Sequence, residues 1–89
     1  MKTNRNEWVV YLLRCMDGSL YCGITNDLEK RLSKHNSGKG AKYTKSRLPL
    51  KLVGVSFGMT KSEALKLEYR LKRTPASDKI GALERLNAD

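Results

Sequence analysis

Val9-Val10-Tyr11-Leu12-Leu13-Arg14-Cys15-Met16-Asp17-Gly18-Ser19-Leu20-Tyr21-Cys22-Gly23 is the stretch whose reading decides the fold. Two runs rich in β-branched and aromatic residues meet at an Asp-Gly pair, the strongest short-range hairpin signal. A three-residue loop of Met16, Asp17 and Gly18, with Gly18 in the left-handed conformation, pairs Leu13 with Tyr21 and Tyr11 with Gly23. A two-residue loop instead pairs Arg14 with Tyr21. Because side chains alternate faces with a period of two, only the first register puts Tyr11 and Tyr21 on one face. That register is the expectation, with Gly23 opposite Tyr11 leaving room beside it.

Working outward, residues 1–6 are polar and expected to be flexible. Trp8, Val10 and Leu12 fall on the face opposite Tyr11 and Leu13, so both faces of the sheet carry apolar bulk and helices are expected to cover them. Asn26-Asp27-Leu28-Glu29 reads as a capping box with Asn26 as cap, opening a helix that ends near Gly38. Its core stripe is Leu28 and Leu32, with Arg31 and His35 beside it, one turn apart and looking toward the sheet. Pro49 leads into a third strand, Leu50 to Phe57, and three strands suffice for a stable sheet. Thr60-Lys61-Ser62-Glu63 is a second capping box for a helix to about Arg73, and Thr74-Pro75 reads as the cap and first-turn proline of a last helix burying Ile80, Leu83 and Leu86.

Eighty-nine residues make one domain, 1–89, with a modest core. Two cysteines, Cys15 and Cys22, are too few for a disulfide framework or a four-thiolate zinc site. The longest apolar run, Trp8 to Leu13, is far short of a membrane span or a signal-peptide core, so a cytoplasmic chain without membrane partners is expected.

The net charge of +9 is unevenly spread. Residues 1–30 hold four basic and four acidic side chains, residues 31–60 seven basic and none acidic, and residues 61–89 seven and five. Such an excess on one segment reads as a phosphate-facing surface. Within it, Ser37 to Arg47 is a Gly-punctuated basic loop with one aromatic, Tyr43, a composition suited to following a phosphate backbone with one base-stacking platform. Lys34, Lys39, Lys42, Tyr43, Lys45 and Arg47 are the candidate nucleic-acid contacts.

One residue breaks the apolar pattern of the second long helix. At about 100° per residue, Glu68 lies about 40° from Ala64, inside the arc that also holds Leu67 and Leu71. A carboxylate pointing at a core is costly unless it is paired with a cation or holds a metal. Periodicity leaves open whether it pairs with Arg31 or a nearby lysine, or binds a metal ion.

Val9-Val10-Tyr11, Tyr21-Cys22-Gly23, Arg31, His35 and Glu68 together resemble the GIY-YIG nuclease superfamily, most closely its small stand-alone bacterial members, the YhbQ-like proteins. The likeness covers nearly the whole chain. It is most specific in the spacing of the two tyrosines and in Tyr21-Cys22-Gly23-Ile24-Thr25-Asn26-Asp27-Leu28-Glu29-Lys30-Arg31-Leu32. Val9-Val10 stands where the first motif has Gly-Ile, and Cys22 where the second has isoleucine, both apolar changes at strand positions.

The resemblance implies an α+β fold, a small three-stranded antiparallel sheet flanked by three helices. It also implies phosphodiester hydrolysis in DNA with one divalent ion, Mg2+ or Mn2+. Glu68 would hold the metal and Arg31 would contact the scissile phosphate. Tyr11 would take the proton of the attacking water, Tyr21 would orient water or phosphate, and His35 would shuttle a proton or bind phosphate. An unperturbed tyrosine has a pKa of about 10, so cationic neighbours are expected to lower that of Tyr11. Members of the superfamily also use a late asparagine, for which Asn87 is the candidate. So small a domain has few elements left to read base edges, which favours structure over sequence as the feature selected: branched, flapped or damaged DNA, with RNA possible. The rival function is a non-catalytic nucleic-acid-binding module that keeps the fold. A monomer is expected, with any recruiting partner unidentified.

Overall fold

The hairpin forms in the expected register. In the computed structural model, which describes residues 7–88, β1 (Val9–Arg14) and β2 (Leu20–Thr25) pair antiparallel with Leu13 opposite Tyr21 and Tyr11 opposite Gly23. The loop is Met16-Asp17-Gly18. Gly18 has φ +85°, a conformation that L side chains rarely adopt, and its N–H donates to Cys15 O at 2.9 Å while Cys15 N–H donates to Ser19 O at 2.8 Å. The expected flexibility of residues 1–6 lies outside the described residues.

β3 (Lys51–Val55) adds to the other side of β1, giving the antiparallel order β2-β1-β3. The ladder pairs Leu12 with Gly54 but Leu13 with Leu52, so Val53 is an extra residue in a bulge. The central strand is the most buried element, and Val9 through Leu13 are all buried. Truncating such a residue, for example Leu12→Ala, typically costs about 2–5 kcal/mol.

Val10, Leu12 and Cys22 form the core with Ala64, Leu67 and Leu71 of α3 (Lys61–Lys72) and Leu83 of α4 (Ala76–Asn87); Trp8, Ile80 and Leu86 pack against it. Thr60 and Glu63 close the expected capping box on α3. Thr74 does not cap α4 as expected. Its hydroxyl donates to Arg70 O at 2.8 Å, closing the end of α3, and Pro75 occupies the cap position of α4 without a side-chain bond.

The other face of β1 carries Tyr11 and Leu13, toward α1 (Leu28–Asn36). Its cap is Asp27 rather than the expected Asn26: the Asp27 carboxylate accepts Lys30 N–H at 3.2 Å, which places Glu29 at the second helical position. At the far end Gly38 (φ +80°) donates to His35 O and Lys39 N–H to Lys34 O, the paired bonds of a Schellman stop. Leu28 and Leu32, the expected core stripe, are only half-buried, and His35 is the buried residue of this helix. The basic stretch expected as a loop contains one more helix, the single turn α2 (Lys42–Lys45), so four helices among the described residues flank the sheet where three were expected.

Candidate active site

Three rings from three elements meet on the outer face of the hairpin. The ring centroids of Tyr11 and Tyr21 are 6.3 Å apart, those of Tyr11 and His35 5.9 Å, and those of Tyr21 and His35 5.3 Å. Two glycines make the space. A Cβ on Gly23 would come within 2.5 Å of the Tyr11 hydroxyl, and one on Gly40 would overlap the His35 ring at Nδ1.

Tyr11 and His35 are each only 1% exposed, so their polar atoms depend on each other. Tyr11 Oη lies 2.9 Å from His35 Nε2, and among the described residues this is the hydroxyl's hydrogen-bond partner. A buried hydroxyl proton needs an acceptor; Tyr11 therefore donates to Nε2. On the far side of the ring, Nδ1 lies 2.9 Å from Oγ1 of Thr44, a fully buried residue of α2.

Burial raises the Tyr11 pKa well above that of a free phenol. The Tyr21 hydroxyl adds to the rise, and the Arg31 guanidinium works against it without prevailing. The expectation that cationic neighbours lower this pKa is thus corrected: the cation is present, but desolvation outweighs it. Burial, and then the Arg31 charge, lower the His35 pKa from 6.5, so the imidazole is neutral at pH 7 and free to accept a proton. The site holds a protonated phenol hydrogen-bonded to a neutral base. Burial also pushes the Cys22 thiol beside it up to about 11, leaving it an inert packing group.

Arg31 and Glu68 reach this cluster through their charges. Both act on Tyr11 and on Tyr21, Arg31 stabilising a phenolate and Glu68 opposing it. Glu68 is on the rim of the buried arc and not inside it. Leu65, on the same side, is 47% exposed, so burial on α3 is confined to Ala64, Leu67 and Leu71. The Glu68 side chain is 19% exposed and its carboxylate pairs with Lys72 at 3.4 Å, one turn along the helix, not with Arg31. Among the described residues no group of three or more His, Cys, Asp or Glu side chains converges as a metal site. A single accessible carboxylate already neutralised by an ammonium fits a loosely held Mg2+, which keeps most of its water and takes its other ligands from substrate.

Beyond Tyr21 the aromatic surface continues into α2. Tyr43 stacks on Tyr21 with centroids 6.1 Å apart, and the Arg47 guanidinium lies 3.9 Å over the Tyr43 ring. Arg47 also donates to Asp17 Oδ2 at 3.0 Å and to Tyr43 O at 2.8 Å. Its Nε–H and one Nη1 N–H thus tie α2 to the hairpin turn, whereas Lys34, Lys39, Lys42 and Lys45 are exposed. An open cleft of about 310 Å³, lined by Leu20, Tyr21, Cys22, Tyr43, Lys72 and Lys79, runs along this edge. Asn87 is committed elsewhere: its amide donates to Val55 O at 2.8 Å and accepts Phe57 N–H at 3.2 Å, fastening α4 to the end of β3.

Sequence reasoning missed Thr44 and Gly40. Lys72 is the nearby lysine it allowed as a partner of Glu68, at the (i, i+4) spacing. Thr44 and Gly40 sit in a Gly-punctuated segment with no periodicity to read, and their roles are visible only once His35 is placed.

Comparison with known proteins gives the family of the chain. Residues 7–80 match the family model of the GIY-YIG catalytic domain. The chain belongs to the GIY-YIG family. A UPF0213 protein of Nitratidesulfovibrio vulgaris is 48% identical over 82 residues, 92% of this chain and 74% of the relative. Another, from Oceanobacillus iheyensis, is 51% identical over 84% of this chain and 87% of its own. The solution NMR structure of a protein from E. faecalis covers 100% of this chain and 94% of its own at 35% identity and a TM-score of 0.69. These relatives are small bacterial members of a nuclease family that generally depends on a divalent metal. Among the described residues no helix is long and apolar enough to cross a membrane.

Proposed function

We propose that this GIY-YIG chain is, over residues 1–89, a metal-dependent DNA endonuclease acting as a cytoplasmic monomer. We further propose that it selects branched, flapped or damaged structures in DNA repair or processing. The observation that carries the reading is the buried Tyr11–His35 hydrogen bond, with the charges of Arg31 and Glu68 acting on the same phenol. A buried tyrosine kept only for packing needs some acceptor for its hydroxyl, but not one that can itself take up a proton, nor a guanidinium charge acting on the same phenol.

The geometry supports the following roles. Tyr11 Oη takes the proton of the attacking water while passing its own proton to His35 Nε2, so no free phenolate has to exist beforehand and the raised Tyr11 pKa is no obstacle. His35 becomes an imidazolium that keeps its contact with Thr44. Arg31 would stabilise negative charge developing on the phosphate oxygens. Tyr21, in contact with both Tyr11 and His35, presents its hydroxyl to water or phosphate. Glu68 would hold one Mg2+ or Mn2+, which when bound supplies charge neutralisation at the phosphate. The exposed lysines and Tyr43 carry the backbone and one unpaired base.

Purified protein with Mg2+ or Mn2+, assayed on branched, flapped, single-stranded and duplex DNA and on RNA, tests the proposal. Cleavage that is lost in both Tyr11→Phe and Glu68→Ala supports it. Salt-dependent binding without cleavage of any of these would leave the non-catalytic binding module in its place.

A further inference from the structure

We infer that Thr44 is a positioning residue that holds His35 in the tautomer protonated at Nδ1, so that Nε2 always faces Tyr11 as an acceptor. The inference rests on the proposed role of His35 as the proton acceptor of Tyr11.

A neutral imidazole carries one N–H, and the two ends of this ring must agree on where it sits. At one end Tyr11 has a buried hydroxyl proton whose acceptor is Nε2, 2.9 Å away. At the other, the Thr44 hydroxyl donates to Ala41 O at 2.9 Å. With its proton directed there, Oγ1 offers a lone pair to Nδ1, also at 2.9 Å. Both ends therefore select Nδ1–H. The opposite tautomer would strip the Tyr11 proton of its acceptor and turn Thr44 away from Ala41.

Two features keep the choice from drifting. Thr44 is fully buried in α2, whose backbone bonds from Thr44 and Lys45 N–H to Ala41 O fix the turn that aims its hydroxyl. Gly40 lies so close to Nδ1 that a side chain there would overlap the ring. That packing closes the same nitrogen to other partners. The arrangement also suits the reaction, because a ring already protonated at Nδ1 receives the Tyr11 proton at Nε2 without turning. The imidazolium then keeps the Thr44 bond that the neutral ring had. By this reading the one-turn helix that carries Tyr43 among the exposed lysines also sets the proton inventory of the site.

The chain has one histidine, so the tautomer is read directly from the imidazole 15N–1H correlations of uniformly labelled, full-length protein at neutral pH. The expected result is a protonated Nδ1 and an unprotonated Nε2 in the wild type and in Thr44→Ser, and a mixture in which Nε2–H appears in Thr44→Val, where Nδ1–H has lost its acceptor and only Tyr11 still favours it. An unprotonated Nδ1 in the wild type, or a Thr44→Val spectrum with Nδ1–H as pure as in the wild type, overturns the inference. Should the valine variant not fold, the wild type and Thr44→Ser still decide it, because Nε2–H in either refutes the assignment. In a cleavage assay, Thr44→Val should lower the rate at saturating DNA by about 10²-fold, the size of a general-base effect, with DNA affinity unchanged and the rate restored in Thr44→Ser. Absence of cleavage by the wild type counts against the proposed function alone, since the spectra do not depend on turnover.

Discussion

The Tyr11 hydroxyl and His35 Nε2, 24 residues apart in the chain, lie 2.9 Å apart in a pocket that hides both side chains. Such a bond is structural as well as chemical, and two substitutions separate the roles. Tyr11→Phe leaves a buried Nε2 without its donor and should cost about 1–3 kcal/mol in urea denaturation. Its effect on cleavage should be far larger in relative terms, about 10²–10⁴-fold in single turnover. A variant that loses stability but cuts at the wild-type rate would remove Tyr11 from the chemistry.

The lowered pKa of His35 makes stability depend on pH in a definite direction. The unfolded chain binds a proton at this residue below about 6.5, whereas the folded protein resists it, so the unfolded state holds more protons in that window. Stability is therefore complete above about 6.5 and declines as pH falls from there through the folded pKa. Cleavage should share this acid limb, because a protonated His35 cannot accept from Tyr11. In His35→Gln the decline in the unfolding midpoint as pH falls below about 6.5 should flatten. The carboxylates of Asp17 and Glu63, lowered by hydrogen bonds from Ser19 and Thr60, act only below their ordinary values of 3.8 and 4.5.

Gly23→Ala and Gly40→Ala strike the same bond from opposite sides. The new methyl would press on the Tyr11 hydroxyl in one case and on the His35 ring in the other. Overpacking of this kind costs about 1–3 kcal/mol, enough to lower the melting temperature of a domain this size by at least about 4 °C. The tyrosine fluorescence or near-ultraviolet dichroism of the aromatic cluster should change in both. A Gly40→Ala protein with wild-type stability and spectrum would show that the ring has more room than the structure gives it.

Much of this site was legible before the fold was known, for reasons that differ by residue. Asp17-Gly18 located the turn and left two loop lengths open, and strand parity then tied the expected three-residue loop to Tyr11 and Tyr21 sharing one face. Capping chemistry located α1 and α3, although Asp27 took the cap from Asn26 because a one-residue shift leaves the local pattern almost unchanged. Glu68 stood out against its apolar neighbours, but its depth did not, since Leu65 is apolar and exposed. Thr44 was hidden altogether. A single turn of four residues has no hydrophobic period, and what makes Thr44 matter is a partner nine residues away that meets it only in three dimensions.

Binding to nucleic acid should be dominated by phosphate contacts from the exposed lysines of residues 34–45. If Lys34, Lys39, Lys42 and Lys45 each neutralise one phosphate, the logarithm of the duplex affinity should fall with that of salt with a slope of about −3.6. Each lysine-to-alanine change should flatten the slope by about 1. Tyr43→Leu should act differently, weakening single-strand binding by about 1–3 kcal/mol with little change in slope. Arg47→Ala should chiefly destabilise, because its guanidinium already joins Asp17, Tyr43 O and the Tyr43 ring.

Lys72 should compete with the metal for Glu68. The ammonium sits 3.4 Å from the carboxylate on the same helix and is largely exposed, so the pair itself contributes little to stability, at most about 1 kcal/mol. Lys72→Met removes the competing cation and keeps the aliphatic stem. It should lower the Mg2+ concentration needed for half-maximal cleavage, and Mn2+ binding followed by proton relaxation of water should tighten in parallel. Glu68→Gln should abolish the ion's effect in both measurements while leaving the urea midpoint nearly unchanged, because the side chain lies on the rim of the core. If Lys72→Met instead weakens Mn2+ binding, the lysine assists the site and Glu68 alone does not hold the ion.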